Sequence, residues 1–281
     1  YSALSRIAEP ARFDYAKISH PPAVFTQERL KVEERLPAAQ AFIVANQLNE
    51  VIRGDIDDIG VIVLGGLANG VLRALSRLGL ADLFGRSRIP IYVLNVAYPL
   101  APEELCGFCA GKRAVLVVEE GYPDYIEQAV TVELRRADLN TRVFGKGALS
   151  RSGEYTSDVV LTGLAAFLRA ARPAGLPIEP IEACARTLLA QKKAAAAALP
   201  ALPTRPPAFC TGCPERPVFA AIKLAEREVG RMHISADIGC HSFATMPPFN
   251  IGNSILGYGM SLASAAAVAP NLAPRPIAIM G

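Results

Sequence analysis

From residue 59 onward, short apolar runs rich in β-branched residues alternate with amphipathic stretches. "IGVIVLGGLANG" is a strand entering a glycine turn, and "VLRALSRLGL" is a helix. "IPIYVLNV" is a second strand, and "PEELCGF" opens a short helix. "RAVLVVEEG", "PDYIEQAVTVELRRA" and "TRVFGKG" add a strand, a helix and a shorter strand. Strands alternating with helices predict βαβ units and a parallel sheet with covered faces. Upstream, "TQERLKVEERLPAAQAFIVANQLNEVIRG" carries apolar residues at helical spacing. Thr26 is its expected N-cap, Gly54 its stop, and Pro37 a break into two helices. Residues 1–24, rich in Pro and aromatic residues, read as extended linker.

Downstream, Pro-rich "RPAGLPIEP" and "LPALPTRPPAF" flank the helix "IEACARTLLAQKKAAAAA", which reads as a connector. A second α/β region then begins near Arg205. It is expected to hold a CxxC turn, a helix over 215–229, a strand over 231–236, a Gly-Cys loop, a small-residue helix over 254–269 and a strand over 276–280. The expected organisation is two α/β domains with mostly parallel sheets. Linker and helix fill 1–44, the first domain 45–172, the connector 173–204 and the second domain 205–281.

Composition narrows the function classes. The 281 residues are 51% hydrophobic and 20% charged, with a net charge of +3. That charge is too small, and no basic run is dense enough, to argue for nucleic acid or a membrane surface. No uninterrupted apolar stretch of about 18 residues predicts a membrane span. The start lacks the features of a secretory signal, and six cysteines in a chain of this length do not read as a secreted disulfide scaffold. A reduced, cytoplasmic setting is expected. Residue 1 is Tyr, and "RPIAIMG" reads as a buried strand stopping at Gly281, so a piece of a longer chain is expected.

Several motifs have ordinary readings. "GGLANG" lacks dinucleotide spacing and reads as a tight β-to-α turn. Glu119 and Glu120 close a strand at the edge where α/β sheets bind ligands. Adjacent strand residues point to opposite faces, so one of the two reads as capping or pairing locally and neither as catalytic. Cys106 and Cys109 lie on a predicted helix and read as buried thiols; Cys184 has no evident partner. "AFCTGCPERPVF" leaves more open. Cys210 and Cys213 sit in a turn among Pro206, Pro207, Gly212 and Pro214, as a metal clip, a redox dithiol or two thiols in a plain turn. Cys240 in "ADIGCHSF" extends the pattern to three thiols, whereas a tetrahedral zinc site or a [4Fe–4S] cluster needs four ligands. His241 beside Cys240 is poorly placed to converge on the same metal, and His233 reads as a core or edge histidine.

"RPPAFCTGCPERPVF", "SADIGCHSF", "GNSILGYGMSLASAAAVA" and "RPIAIMG" together resemble the thiamine-diphosphate domain of the 2-oxoacid:ferredoxin oxidoreductases, nearest to the indolepyruvate:ferredoxin oxidoreductase group. "VIVLGGLANGVLRAL" and "AVLVVEEGYPDYIEQAV" resemble the transketolase C-terminal-like domain that precedes it there. The likeness covers most of residues 45–281, with 205–281 its specific part. It implies oxidative decarboxylation of an aryl 2-oxo acid to an acyl-CoA, with electrons leaving through iron–sulfur clusters to ferredoxin. It implies thiamine diphosphate and Mg²⁺, with Gly239, Cys240, His241, Gly257, Gly259, Met260 and Gly281 around the cofactor. Gly281 would be the first Gly of a G-D-G motif whose Asp, with a later Asn, holds Mg²⁺. Cys210, Cys213 and Cys240 match three of the four ligands of a proximal [4Fe–4S] cluster. The resemblance also implies a second subunit or domain and a homo- or hetero-oligomer. It puts no catalytic residue in this stretch, which alone is expected to be inactive. Glu215 departs from it, because the family often has His there. Two other functions fit the residues: a zinc-stapled, non-catalytic assembly module, or a thiamine-dependent decarboxylase of another 2-oxo acid.

Overall fold

A computed structural model describes Asp14, residues 20–200, Pro203 and residues 207–280. Gly281, most of the expected linker over 1–24, Arg205 and Pro206 lie outside the described residues. Contacts divide the chain into two units, Tyr1–Ala198 and Leu199–Gly281.

The first unit opens with α1 (Ala23–Leu30), five π-helical residues Lys31–Arg35, and α2 (Leu36–Ala45). The strands are β1 (Glu50–Ile52), β2 (Ile59–Leu64), β3 (Ile91–Leu94), β4 (Ala114–Val118) and β5 (Arg142–Phe144). Between and after them run α3 (Ala68–Arg77), α4 (Pro102–Cys109), α5 (Tyr125–Arg136), α6 (Ser157–Ala171) and α7 (Ile178–Ala198). Three local expectations change. Pro37 does not split the helical run. It lacks an N–H to return to the preceding turn, and the wider π turn just before it lets the chain stay helical. Thr26 lies inside α1, which starts after Pro22. The run ends at Ala45, and Glu50–Ile52 pairs antiparallel with β3. Gly54 is therefore no helix stop. A Cβ there would sit 2.4 Å from the Arg88 carbonyl oxygen, so glycine permits a close approach of backbones.

The sheet order is β1-β3-β2-β4-β5, parallel except for β1. Strand residues alternate between two apolar layers. Ile59, Val61 and Val63 pack with Val71, Leu75, Leu164 and Phe167 of α3 and α6. Ile62 packs with Leu105, Phe108, Val130 and Leu134 of α4 and α5. Helix α7, expected as a connector, places Ile181 and Ala185 in the first of these layers. Helices α3 and α5 thus cover opposite faces, and the crossover reverses between β2 and β4.

The second unit contains α8 (Glu215–Val229), β6 (Ile234–Ala236), β7 (Ser254–Ile255), α9 (Ser261–Val268) and β8 (Ile277–Ile279). Its sheet is β7-β6-β8, all parallel. Both units are therefore α/β with mostly parallel sheets, as expected. An aromatic core holds the second unit: Phe209 stacks on Phe219 at 5.3 Å and meets Phe249 and Phe243 edge-on at 5.9 and 6.1 Å. The helix expected from 254 starts at 261 instead. Ser254–Ile255 pairs with β6, and Gly259 at φ +76° breaks the helical run ahead of α9. Among the described residues no helix is long and apolar enough to cross a membrane.

Candidate functional site

Strand β6 ends in the loop carrying Asp237, Gly239, Cys240 and His241, and α9 is entered through Gly257, Gly259 and Met260. Asp237 joins the two. It is 2% exposed, and its carboxylate oxygens accept from the Gly259 and Ser261 N–H groups, both at 2.8 Å. It therefore satisfies the first free N–H of α9 and one N–H of the glycine loop just before the helix. Burial alone would raise its pKa, but these donors hold the carboxyl below its ordinary value. Asp237 lies in the S-A-D-I-G-C stretch, but sequence reasoning gave it no role of its own.

The expected cofactor residues fall into two groups. His241 is 4% exposed, and its Nε2 lies 2.5 Å from the Asp237 carbonyl oxygen. A carbonyl only accepts, so Nε2 carries the proton. A Cβ on Gly239 would meet the His241 ring at 2.8 Å, so this glycine makes room for the imidazole. His241 is thus buried packing under this loop, while Gly239 stays exposed. Cys240, Gly257, Gly259 and Met260 are exposed, and a Cβ at Gly259 would meet nothing. Ser261 is fully buried, and its side chain, like its N–H, helps hold the Asp237 carboxyl below its ordinary value. Three further hydroxyls missed by sequence reasoning tie β6, β7 and α9 together: Ser254 Oγ lies 2.9 Å from both Ser235 and Ser264, which are 3.1 Å apart. They sit among apolar neighbours, and only the fold makes them converge.

The cysteine turn is well formed. The Cys213 N–H donates to the Cys210 carbonyl at 3.1 Å, with Gly212 at φ +74° inside the turn. Cys210 is exposed, and Cys213 is half-buried against the aromatic core. All three thiols of the expected cluster site are free. Among the described residues no group of three or more His, Cys, Asp or Glu side chains is disposed to hold a metal ion. Cys210, Cys213 and Cys240 thus form no ready-made cluster or zinc site. Glu215, at the start of α8, has a buried Oε2 without a partner.

In the first unit the ordinary readings match the geometry. Gly65 opens a tight turn into α3, where a Cβ would meet Asn95 Oδ1 at 2.6 Å. Glu119 accepts from the Ile126 and Glu127 N–H groups and caps α5, while Glu120 accepts from the Tyr155 N–H. Cys109 is buried, which pushes its thiol up to about 12, and Cys106 is half-buried with a thiol raised for the same reason. Cys184 meets the Arg77 carbonyl at 3.5 Å. Sequence reasoning missed Lys146, a buried lysine whose Nζ donates to the Glu119 carbonyl and to Tyr155 Oη.

No family model matches the chain. Three curated relatives are similar along most of it. The indolepyruvate oxidoreductase subunit IorA of Methanothermobacter marburgensis is 28% identical over 92% of this chain and 39% of its own length. That of Methanothermobacter thermautotrophicus is 27% identical over 99% and 42%. That of Archaeoglobus fulgidus is 28% identical over 88% and 36%. The chain spans about two fifths of the length of these relatives. A 2-oxoglutarate:ferredoxin oxidoreductase from Magnetococcus marinus aligns with a TM-score of 0.36 and 15% identity, covering 52% of this chain and 23% of that one. A split-gene transketolase aligns at 0.30 and 19%, covering 50% and 42%. Scores this low carry no argument about the fold, and the α/β class rests on the strand pairing itself. The likeness first read from the cysteine turn, the S-A-D-I-G-C loop and the glycine loop is borne out along most of the chain: this protein is similar to the indolepyruvate oxidoreductase subunits.

Proposed function

We propose that this chain is part of an enzyme that oxidatively decarboxylates an aryl 2-oxo acid, such as indolepyruvate, to an acyl-CoA and passes the electrons to ferredoxin. The observation that carries this reading is the similarity, along 88% to 99% of the chain, to proteins named as indolepyruvate oxidoreductase subunits. On this reading the protein is cytoplasmic and works within an oligomer, with a second subunit or domain, coenzyme A and ferredoxin as partners. The first unit corresponds to a transketolase C-terminal-like domain and the second to the start of a thiamine-diphosphate fold.

The residues fit a cofactor lying against the open Gly257–Gly259 loop and Met260, with exposed Cys240 on the β6 side. They do not fit a diphosphate on the start of α9, because its Gly259 and Ser261 donors are committed to the Asp237 carboxylate. Bound there, thiamine diphosphate would supply the carbon nucleophile and the electron sink for loss of carbon dioxide. The chain's own part is positional. Asp237 holds the glycine loop to the end of β6, and the Gly239–His241 contact keeps the β6 loop closed behind it. No step is assigned to a [4Fe–4S] cluster on Cys210, Cys213 and Cys240, whose thiols do not form a metal group.

The native complex containing this chain, assayed anaerobically with indolepyruvate, coenzyme A and methyl viologen, is expected to reduce the viologen only when coenzyme A is present. Decarboxylation without viologen reduction would favour the simple decarboxylase instead. Absence of both activities and of thiamine diphosphate binding would overturn the proposal.

A further inference from the structure

The chain carries two Cys-x-x-Cys pairs that share a spacing and little else. Cys106 and Cys109 lie on α4, with Cys109 wholly buried and its thiol pushed up to about 12. A thiol in that state is inert, since exchange requires the thiolate and access to a partner. Cys210 and Cys213 lie instead on a hydrogen-bonded turn at the surface of the second unit. A β-turn brings its first and fourth Cα atoms within about 7 Å, and a disulfide spans about 4.4–6.8 Å between Cα atoms. Gly212, third in the turn, takes the left-handed conformation that a type II turn needs there. The two thiols differ in access: Cys210 is open to solvent, and Cys213 is half-covered by the aromatic core. The alternative use of the pair, metal binding, lacks a third and fourth ligand among the described residues.

We infer that Cys210 and Cys213 form a redox-active dithiol that closes to an intramolecular disulfide by exchange with a small-molecule disulfide of the glutathione type. Cys210, the accessible thiol, attacks one sulfur of the small disulfide as its thiolate. The S–S bond of the small molecule breaks, a mixed disulfide forms on Cys210, and one small thiolate leaves. Cys213 then attacks the Cys210 sulfur and expels the second small thiolate. Two protein thiols give up two electrons and two protons, and one small disulfide becomes two thiols. Cys240, on the separate 3₁₀ segment Cys240–Thr245, takes no part. The inference is independent of the reaction proposed above, because it concerns only the thiols of the turn.

The test uses the whole 281-residue chain, reduced and then equilibrated with graded ratios of oxidised to reduced glutathione. Remaining thiols are blocked with a maleimide, and the peptides are read by mass spectrometry. The peptide carrying Cys210 and Cys213 is expected to become lighter by two hydrogens across one transition. Cys106 and Cys109 are expected to stay reduced and, in the folded chain, unlabelled at Cys109. Cys213→Ser should stop the reaction at a glutathione adduct on Cys210, and Cys210→Ser should abolish that adduct. Full maleimide labelling of Cys210 and Cys213 at every ratio would overturn the inference, as would a disulfide joining either of them to Cys240. Stoichiometric zinc or iron in the purified chain, lost in Cys210→Ser, would also overturn it.

Discussion

At the scale of single residues, two buried groups of opposite charge respond to pH with the same sign, each in its own window. Asp237 titrates below the ordinary carboxylate value because backbone N–H groups favour its charged form. Its contribution to stability is therefore present above the unfolded value of about 4 and is lost as pH falls through the lower folded value. Asp237→Ala removes the bond to Gly259 and the cap on α9. It should lower the unfolding temperature of the second unit, speed protease cleavage between Gly257 and Met260, and flatten the loss of stability in acid. Thermal melts between pH 3 and pH 7 check this, and an unchanged acid profile would refute the capping role. Lys146 reaches the same sign from the opposite cause, a charged form that burial disfavours. Burial lowers its pKa, although Glu119, Glu127, Asp124 and Glu120 oppose that shift. The folded unit thus binds fewer protons than the unfolded chain in a window below about 10.4, and stability rises with pH through that window. Lys146→Met leaves the Glu119 carbonyl without this donor and Tyr155 Oη without its partner nitrogen, and should cost about 1–3 kcal/mol at pH 7. Urea unfolding at pH 7 and pH 10 should show that the variant has also lost the alkaline gain.

At the scale of elements, what decides a glycine's role is the backbone that comes near it. Gly54 follows β1 with the Arg88 carbonyl where a Cβ would go, and backbone cannot swing aside as a long side chain can. Gly54→Ala should therefore destabilise the first unit by at least about 1–3 kcal/mol. Gly107, in the middle of α4, is exposed and has nothing within 4 Å of its added Cβ. Gly107→Ala should stabilise by up to about 1 kcal/mol through helix propensity alone. Urea midpoints of the two variants, on either side of the parent, test that contrast. The same elements mark how far local pattern reaches. Glu215–Val229 is helical over the range read from its amphipathic spacing, because one apolar stripe and a following Gly230 suffice to specify it. Glu50–Ile52 was read as the end of a helix. Three residues carry too little periodicity to announce an edge strand, and pairing with β3, some forty positions away, decides it. Ser254–Ile255 was absorbed into a helix for the same reason: a two-residue strand exists only because β6 lies beside it.

At the scale of the whole molecule, the alternation of apolar strands and amphipathic helices sufficed for two mostly parallel α/β units. A covered parallel strand must be apolar along its length, and its crossover helix must carry a single apolar stripe, so both signals lie within a dozen contiguous residues. The likeness to indolepyruvate oxidoreductase subunits was legible for a similar reason, since each of its motifs is a contiguous turn or loop. The sequence alone could not tell apart its two Cys-x-x-Cys pairs. Cys109 belongs to a buried cluster with Ile62, Tyr92 and Val130, drawn from three other elements, while Cys210 meets solvent. Nor could it show that Asp237 reaches the start of α9, or that Ser235, Ser254 and Ser264 converge. Burial and hydrogen-bond partnership depend on groups that are neighbours in space and far apart along the chain. Local chemistry chose the elements, and tertiary packing decided which of their side chains are sealed, which are tied down, and which remain free to react.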